Sequence, residues 1–264
     1  MEIRFFRKIC SWLLSLSYFT FFFLAVGERE VLLKTSTLTP RDARLAGKLI
    51  ARAKTNSNLS DRIRIISSQL MGFPYIVHPL TGSQSHPEIF VTRMDGFDCV
   101  TYVETVLALA ESKNIDDFPE RLREIRYEHG VVEWRKRLHY TTEWSEYHVR
   151  RGDFLDLTVG EGTIERIKRL SYLAGLAPKT SHFRYFPTRL LPQVSHRMMD
   201  GDLIYFVSTR KGLDVFHVGL LIKNGNHFHL RHAAHSRGAV VEQELYDFVR
   251  ANPMSGFIIN RPSL

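Results

Sequence analysis

Cysteine is scarce in this chain of 264 residues: there are two, Cys10 and Cys99. That scarcity excludes a disulfide-stapled miniprotein, which needs several bridges in a short chain. Internal repeats and low-complexity tracts are missing too, so collagen-like and solenoid architectures are excluded. Acidic residues are in the minority, 28 Asp and Glu against 36 Lys and Arg, for a formal net charge of +8. Such a balance suits polyanionic surroundings, whether nucleic acid, a membrane surface or an acidic cell-wall polymer, and says nothing about fold. What is present is ordinary globular material. With 44% hydrophobic and 24% charged residues, the chain can bury a sizeable core and is not broadly disordered.

The first residues stand apart. Arg4, Arg7 and Lys8 precede an apolar run over 9–26, which ends at Ala25-Val26-Gly27 before Glu28-Arg29-Glu30. A basic start, an apolar centre and small residues at the end predict an export signal over residues 1–27, cleaved after Ala25-Val26-Gly27. The alternative is an uncleaved anchor, the chain's one route to a membrane. Residues 28–39 read as a tether and 40–264 as the folded body. Removing the signal removes Cys10, so the exported chain holds one thiol, Cys99. A lone thiol in an exported protein is either inert and buried or kept for its reactivity.

Helices come first in the pattern. Residues 40–55 carry Ala43, Ala46, Leu49, Ile50 and Ala53 at helical spacing, and Ser60 is placed to cap a second helix that Gly72 ends. Residues 73–96, rich in Pro, Gly, Ser and Thr, read as loop with short extended pieces. Residues 97–111 form the clearest helix, with one buried face and Asp98 or Asp95 as its cap. Further helices are expected over 118–128 and 162–173, while 134–157 is aromatic, basic and unassigned. Beyond residue 200 the pattern changes to short β-rich runs, at 203–207, 215–222, 227–231, 239–241 and 257–260, with a helix over 242–250. Helices followed by an antiparallel sheet make an α+β fold.

Cys99 falls in the first turn of the clearest helix. Free N–H groups and the positive end of the helix dipole favour a thiolate there, and the same N–H groups can hold an oxyanion. Asp95 and Asp98 oppose that effect, so an imidazole partner is needed. His217 stands among alternating apolar residues on a strand, and a sheet-borne histidine against a helix-borne cysteine is the layout of a nucleophile with its general base. A third, orienting group is expected from the next strand, where His227, His229 and His232 compete.

Four ordered motifs now carry a resemblance: Gly72-Phe73-Pro74-Tyr75, Phe97-Asp98-Cys99-Val100-Thr101-Tyr102-Val103-Glu104-Thr105, Gly212-Leu213-Asp214-Val215-Phe216-His217-Val218-Gly219 and Leu230-Arg231-His232-Ala233. Together they resemble the bacterial N-acetylmuramoyl-L-alanine amidase-like family of the NlpC-type papain-like cell-wall hydrolases, over roughly residues 45–262. The resemblance implies a papain-like α+β fold and cleavage of a peptidoglycan amide, either N-acetylmuramoyl-L-alanine or a γ-D-glutamyl bond of the stem peptide. It implies Cys99 as nucleophile, His217 as base, His232 as orienting group, and Tyr75 and Asp98 beside the substrate. No metal or other cofactor is implied. The fifteen-residue gap between His217 and His232 keeps His229 open as the orienting group.

Two other readings stay open. His227, His229, His232 and His235 could build a zinc site, which would make a metal-dependent wall hydrolase. A basic, non-catalytic wall-binding module is the other. Export argues against nucleic acid as the partner.

Overall fold

Thr39 opens the first helix of the computed structural model, which describes residues 37–263. Its hydroxyl accepts from the Asp42 N–H and Pro40 takes the first turn, so α1 (Pro40–Ala53) begins with standard capping chemistry. The expected export signal, residues 1–27, lies outside the described residues, as does most of the tether. Among the described residues no helix is long and apolar enough to cross a membrane. The cap of α2 (Leu59–Gln69) is Asn58, whose Oδ1 accepts from the Ser60 N–H at 2.9 Å. Ser60, the cap expected from sequence, gives its hydroxyl to the Asp200 carbonyl instead.

A small hairpin follows, β1 (Thr81–Ser83) with β2 (His86–Ile89), in the stretch read as loop. Next comes α3 (Cys99–Glu111), capped by Asp98. Sequence periodicity predicted one buried face; in fact every residue from Thr101 to Ala110 is buried. A helix apolar nearly all round belongs in a core, and each fully buried Val or Leu contributes about 1.5–3 kcal/mol there. Its one buried charge, Glu104, is met by Arg126 of α4 (Asp117–Arg126), with Nε donating to Oε2 at 2.7 Å. Arg126 also donates to the Val91 carbonyl, so one guanidinium ties α3, α4 and the preceding strand-like segment together.

The unassigned aromatic stretch contains α5 (Thr141–Arg151). Its aromatic residues Tyr140, Trp144 and Tyr147 are all buried. The helix lacks a side-chain cap of its own. Asp214, from the turn before β7, supplies it by accepting from both the N–H and the hydroxyl of Thr142 at 2.8 Å.

The remaining strands are β3 (Phe154–Asp156), β4 (Ile164–Leu170), β5 (Lys179–Pro187), β6 (Leu203–Val207), β7 (Val215–Asn224), β8 (His227–Ala234), β9 (Ala239–Glu244) and β10 (Gly256–Pro262). They form one antiparallel sheet in the order β4-β5-β10-β6-β7-β8-β9, with β3 also on β10. Two short helices, α6 (Leu191–Val194) and α7 (Leu245–Ala251), complete the chain. The α+β class with an antiparallel sheet is therefore present as expected.

One expectation is overturned: residues 162–173 are not helical but hold β4. Residues 164–170 pair without a break against 179–185. The apolar spacing of Ile164 and Ile167 buries nothing, since they are 39% and 65% exposed, and a helix without a buried face loses to a ladder of cross-strand bonds. The helix expected over 242–250 starts at Leu245, because β9 continues to Glu244 opposite His229.

Both faces of the sheet are covered. The α3 side packs Tyr205, Val207, Val218 and Leu220 into the larger core, and the α7 side packs Ile204, Phe206, Leu221 and Phe248 into a second. Continuous burial of Leu203–Val207 explains why that strand reads as an unbroken apolar run.

Candidate active site

Asp98 sets the start of α3. Its Oδ1 accepts from the Thr101 N–H at 2.7 Å while the Thr101 hydroxyl accepts from the Asp98 N–H at 3.0 Å, a reciprocal capping box. Asp95, the other cap considered, pairs with Arg93. Cys99 is therefore the first residue of the helix, partly exposed, and the one cysteine among the described residues.

Three backbone N–H groups bear on its sulfur, those of Val218, Cys99 and Val100. Each favours a thiolate. Burial and then the Asp98 charge act more strongly the other way, and the thiol is pushed up to about 12.

Tyr75 arrives by a close approach of backbone. The Ile76 N–H donates to Phe97 O at 2.9 Å and the Phe97 N–H to Pro74 O at 3.0 Å. A Cβ on Gly96 would lie 2.7 Å from the Pro74 carbonyl oxygen, so this approach requires glycine. The phenol is pushed up to about 12 by burial first, then by the Cys99 and Asp98 charges. Its ring stands edge-on to His235, 5.1 Å between centroids.

From the sheet come two histidines in direct contact. His217 on β7 and His232 on β8 share a hydrogen bond of 2.6 Å between Nε2 of the first and Nδ1 of the second. Gly219 makes this possible: a Cβ there would sit 3.1 Å from His232 Cβ and 2.6 Å from Leu230. Phe206 and Phe248 flank the His217 ring. Burial lowers His217 to about 3, with His232 adding to the effect, and burial lowers His232 to about 4. Both rings are neutral at pH 7.

The structure gathers the predicted residues into two groups. His217 and His232 touch; Tyr75 and Asp98 are close enough to Cys99 to affect its proton or share its field. The backbone N–H of Val218, one residue beyond His217, favours the Cys99 thiolate, but the His217 ring lies against Phe206 and Phe248 of the α7-side core, and among the described residues no hydrogen bond joins Cys99 to His217. His229, the competitor of His232, lies 3.7 Å from Glu242 instead. The four histidines of the suspected zinc cluster diverge, and among the described residues no three His, Cys, Asp or Glu side chains are grouped to hold a metal.

Several residues passed over in the sequence also stand here. His139 lines a cavity of about 20 Å³ with Val100, Val103, Leu138, Trp144 and Val218, space for a water or a methyl group. Its Nε2 is 2.6 Å from the Trp134 carbonyl, and burial lowers it to about 4. Gln243 on β9 interacts with His232. Neither has a sequence signal, because what matters is a contact between distant segments. Asp214 had one: it is a lone acid inside the motif that ends at Gly219.

A protonated resting thiol has a measurable consequence. With the pKa near 12, the thiolate fraction grows about tenfold per pH unit through neutrality. The rate of iodoacetamide alkylation of Cys99 is expected to climb steadily from pH 7 to 10. A plateau reached below pH 6 would instead reveal a resting thiolate–imidazolium pair.

The α+β frame with its antiparallel sheet is that of an amidase-like class of proteins. The chain belongs to the N-acetylmuramoyl-L-alanine amidase-like (AmiA-like) family, which it matches over residues 65–257. Solved structures agree. A Legionella pneumophila protein superimposes with a TM-score of 0.75 at 24% identity, covering 86% of this chain and 96% of its own. An N-acetylmuramoyl-L-alanine amidase from Bacteroides uniformis superimposes with a TM-score of 0.66 at 26% identity, over 75% of this chain and 97% of its own. A second structure with the same description gives 0.69 at 25% identity, over 83% and 100%. No curated protein matches.

Proposed function

We propose that this chain is an exported cysteine amide hydrolase of peptidoglycan with the NlpC-type papain-like layout, using Cys99, His217 and His232. One observation carries the reading: a lone cysteine that opens a buried helix packed on the sheet, with a strand of that sheet bearing a histidine that is hydrogen-bonded to a second histidine. The family shared with N-acetylmuramoyl-L-alanine amidases supplies the substrate class.

In the mechanism the Cys99 sulfur attacks the amide carbonyl as its proton passes to Nδ1 of His217. Backbone N–H groups at the start of α3 hold the oxyanion. Collapse of the tetrahedral intermediate breaks the C–N bond, and His217 protonates the departing amine. His217 then takes a proton from water, which attacks the thioester and frees the acid and the thiol. His232 holds the His217 ring through Nε2, leaving Nδ1 for this traffic. Tyr75 and Asp98 border the substrate. A basic surface draws the anionic wall over about a Debye length of 8 Å.

Purified sacculi treated with the protein, with fragments weighed by mass spectrometry, test the proposal. Free amino-terminal L-alanine with intact muramic acid is the expected product, and Cys99→Ala should release nothing. A cut within the stem peptide would move the activity to the γ-D-glutamyl bond. Activity that survives Cys99→Ala but dies with a chelator would replace the thiol chemistry with a metal. Binding to sacculi without any release would leave only the wall-binding module.

A further inference from the structure

We infer that Gln243 is a positioning residue: it fixes the tautomer of His232 and through it decides which nitrogen of His217 faces the reaction. The inference rests on the proposed use of Cys99 and His217.

It follows from counting protons. Two neutral imidazoles at 2.6 Å share one proton between Nε2 of His217 and Nδ1 of His232. If His232 donates, the proton of His217 sits on Nδ1, and that nitrogen cannot accept another from a thiol. If His217 donates, its Nδ1 is a free acceptor, and His232 carries its own proton on Nε2. Only the second arrangement allows base catalysis.

That arrangement needs somewhere for the His232 Nε2–H to go. His232 is 2% exposed and Nε2 has no hydrogen-bond partner, so the N–H is buried without solvent to satisfy it. An unsatisfied buried donor costs about 1–3 kcal/mol, enough to favour the unproductive tautomer. The sheet register supplies an acceptor. His232 pairs with Val241 of β9, and Gln243, two residues on, projects from the same face. Gln243 raises His232 against the lowering by burial, and from its diagonal place on the same face its long side chain is within reach of the ring. Glu242, between them, points away and pairs with Arg231 at 2.9 Å. In this arrangement Oε1 of Gln243 is the acceptor for the Nε2–H of His232.

The test combines kinetics with nitrogen-15 NMR of labelled histidine in the full chain. In the wild type His232 should be protonated on Nε2. Gln243→Leu should move that proton to Nδ1 and lower kcat about 10- to 100-fold, the scale on which loss of an outer partner of a functional histidine is felt, with KM within twofold. Gln243→Glu keeps an acceptor, so it should restore the tautomer and most of kcat. Its added charge favours the imidazolium, so the acid limb of the kcat profile should move to higher pH. Unchanged kcat and tautomer in Gln243→Leu overturns the inference. If Gln243→Leu fails to fold, the wild-type spectrum decides alone: a proton on Nδ1 of His232 overturns it. A Cys99→Ala variant run in parallel separates the two levels. Its full activity sinks the thiol reading, whereas its inactivity beside an unperturbed Gln243→Leu sinks only the role of Gln243.

Discussion

His217→Ala is expected to lower kcat by about 10⁴-fold or more while leaving the fold intact, on the scale seen when the base of a nucleophile–base pair is lost. The reasoning is specific to a protonated resting sulfur. Burial and Asp98 hold the thiol near 12, so attack on an amide requires a base at the moment of reaction. His217, lowered to about 3 by burial, is neutral, and the proposed chemistry assigns it that role as the site closes on substrate. A second result should accompany the first. The resting thiol owes its proton to burial and Asp98, so the alkylation profile of Cys99 should change little in the variant. Thermal stability should fall only modestly, because the neutral ring is bounded by Phe206, Phe248 and His232 on a partly open flank. Steady-state kinetics with a muropeptide, together with circular dichroism, checks all three. Near-normal turnover would show that another group takes the proton.

Glu104→Gln should cost about 3–5 kcal/mol of stability, the usual penalty for leaving one member of a buried ion pair alone. Glu104 and Arg126 are 3% and 2% exposed, so water cannot replace the lost partner. At about 2–4 °C of melting temperature per kcal/mol for a chain of this size, the drop should be roughly 10 °C. The joint replacement Glu104→Leu with Arg126→Met should recover much of the loss, since no charge then remains buried. Recovery should be incomplete, because Arg126 also satisfies the Val91 carbonyl. Denaturant unfolding of the two variants measures both effects. A loss below 1 kcal/mol in Glu104→Gln would mean the guanidinium finds another partner.

Much of this architecture was legible in the sequence, for physical reasons. The strand 203–207 announces itself because both faces are buried, and the Asp98–Thr101 box marks the start of α3. The helix-start place of Cys99 and the strand place of His217 were legible because each sits in a strong local pattern. Other parts depended on contacts that no local pattern encodes. The cap of α5 comes from Asp214, some seventy residues away, so the helix could not be placed from its own first turn. β4 carries Ile164 and Ile167 at helical spacing yet leaves both exposed, and the ladder that decides its conformation depends on β5, which the helical reading of its neighbour hides. The choice between His229 and His232 turned on register: His229 meets Glu242, and only the close strand approach at Gly219 brings His232 to His217.

The resting state of the sulfur also governs its durability. Peroxides, like alkylating agents, react with the anion of cysteine, so a proton held to about 12 shields Cys99 from the first rung of oxidation, the sulfenic acid. That shelter is valuable here because Cys99 is the one cysteine among the described residues, none of which offers a resolving thiol. Without one, a sulfenic acid would be free to advance to irreversible forms. Under the proposed chemistry, the proton that delays attack until a carbonyl is in place would be the same proton that preserves the atom between turnovers.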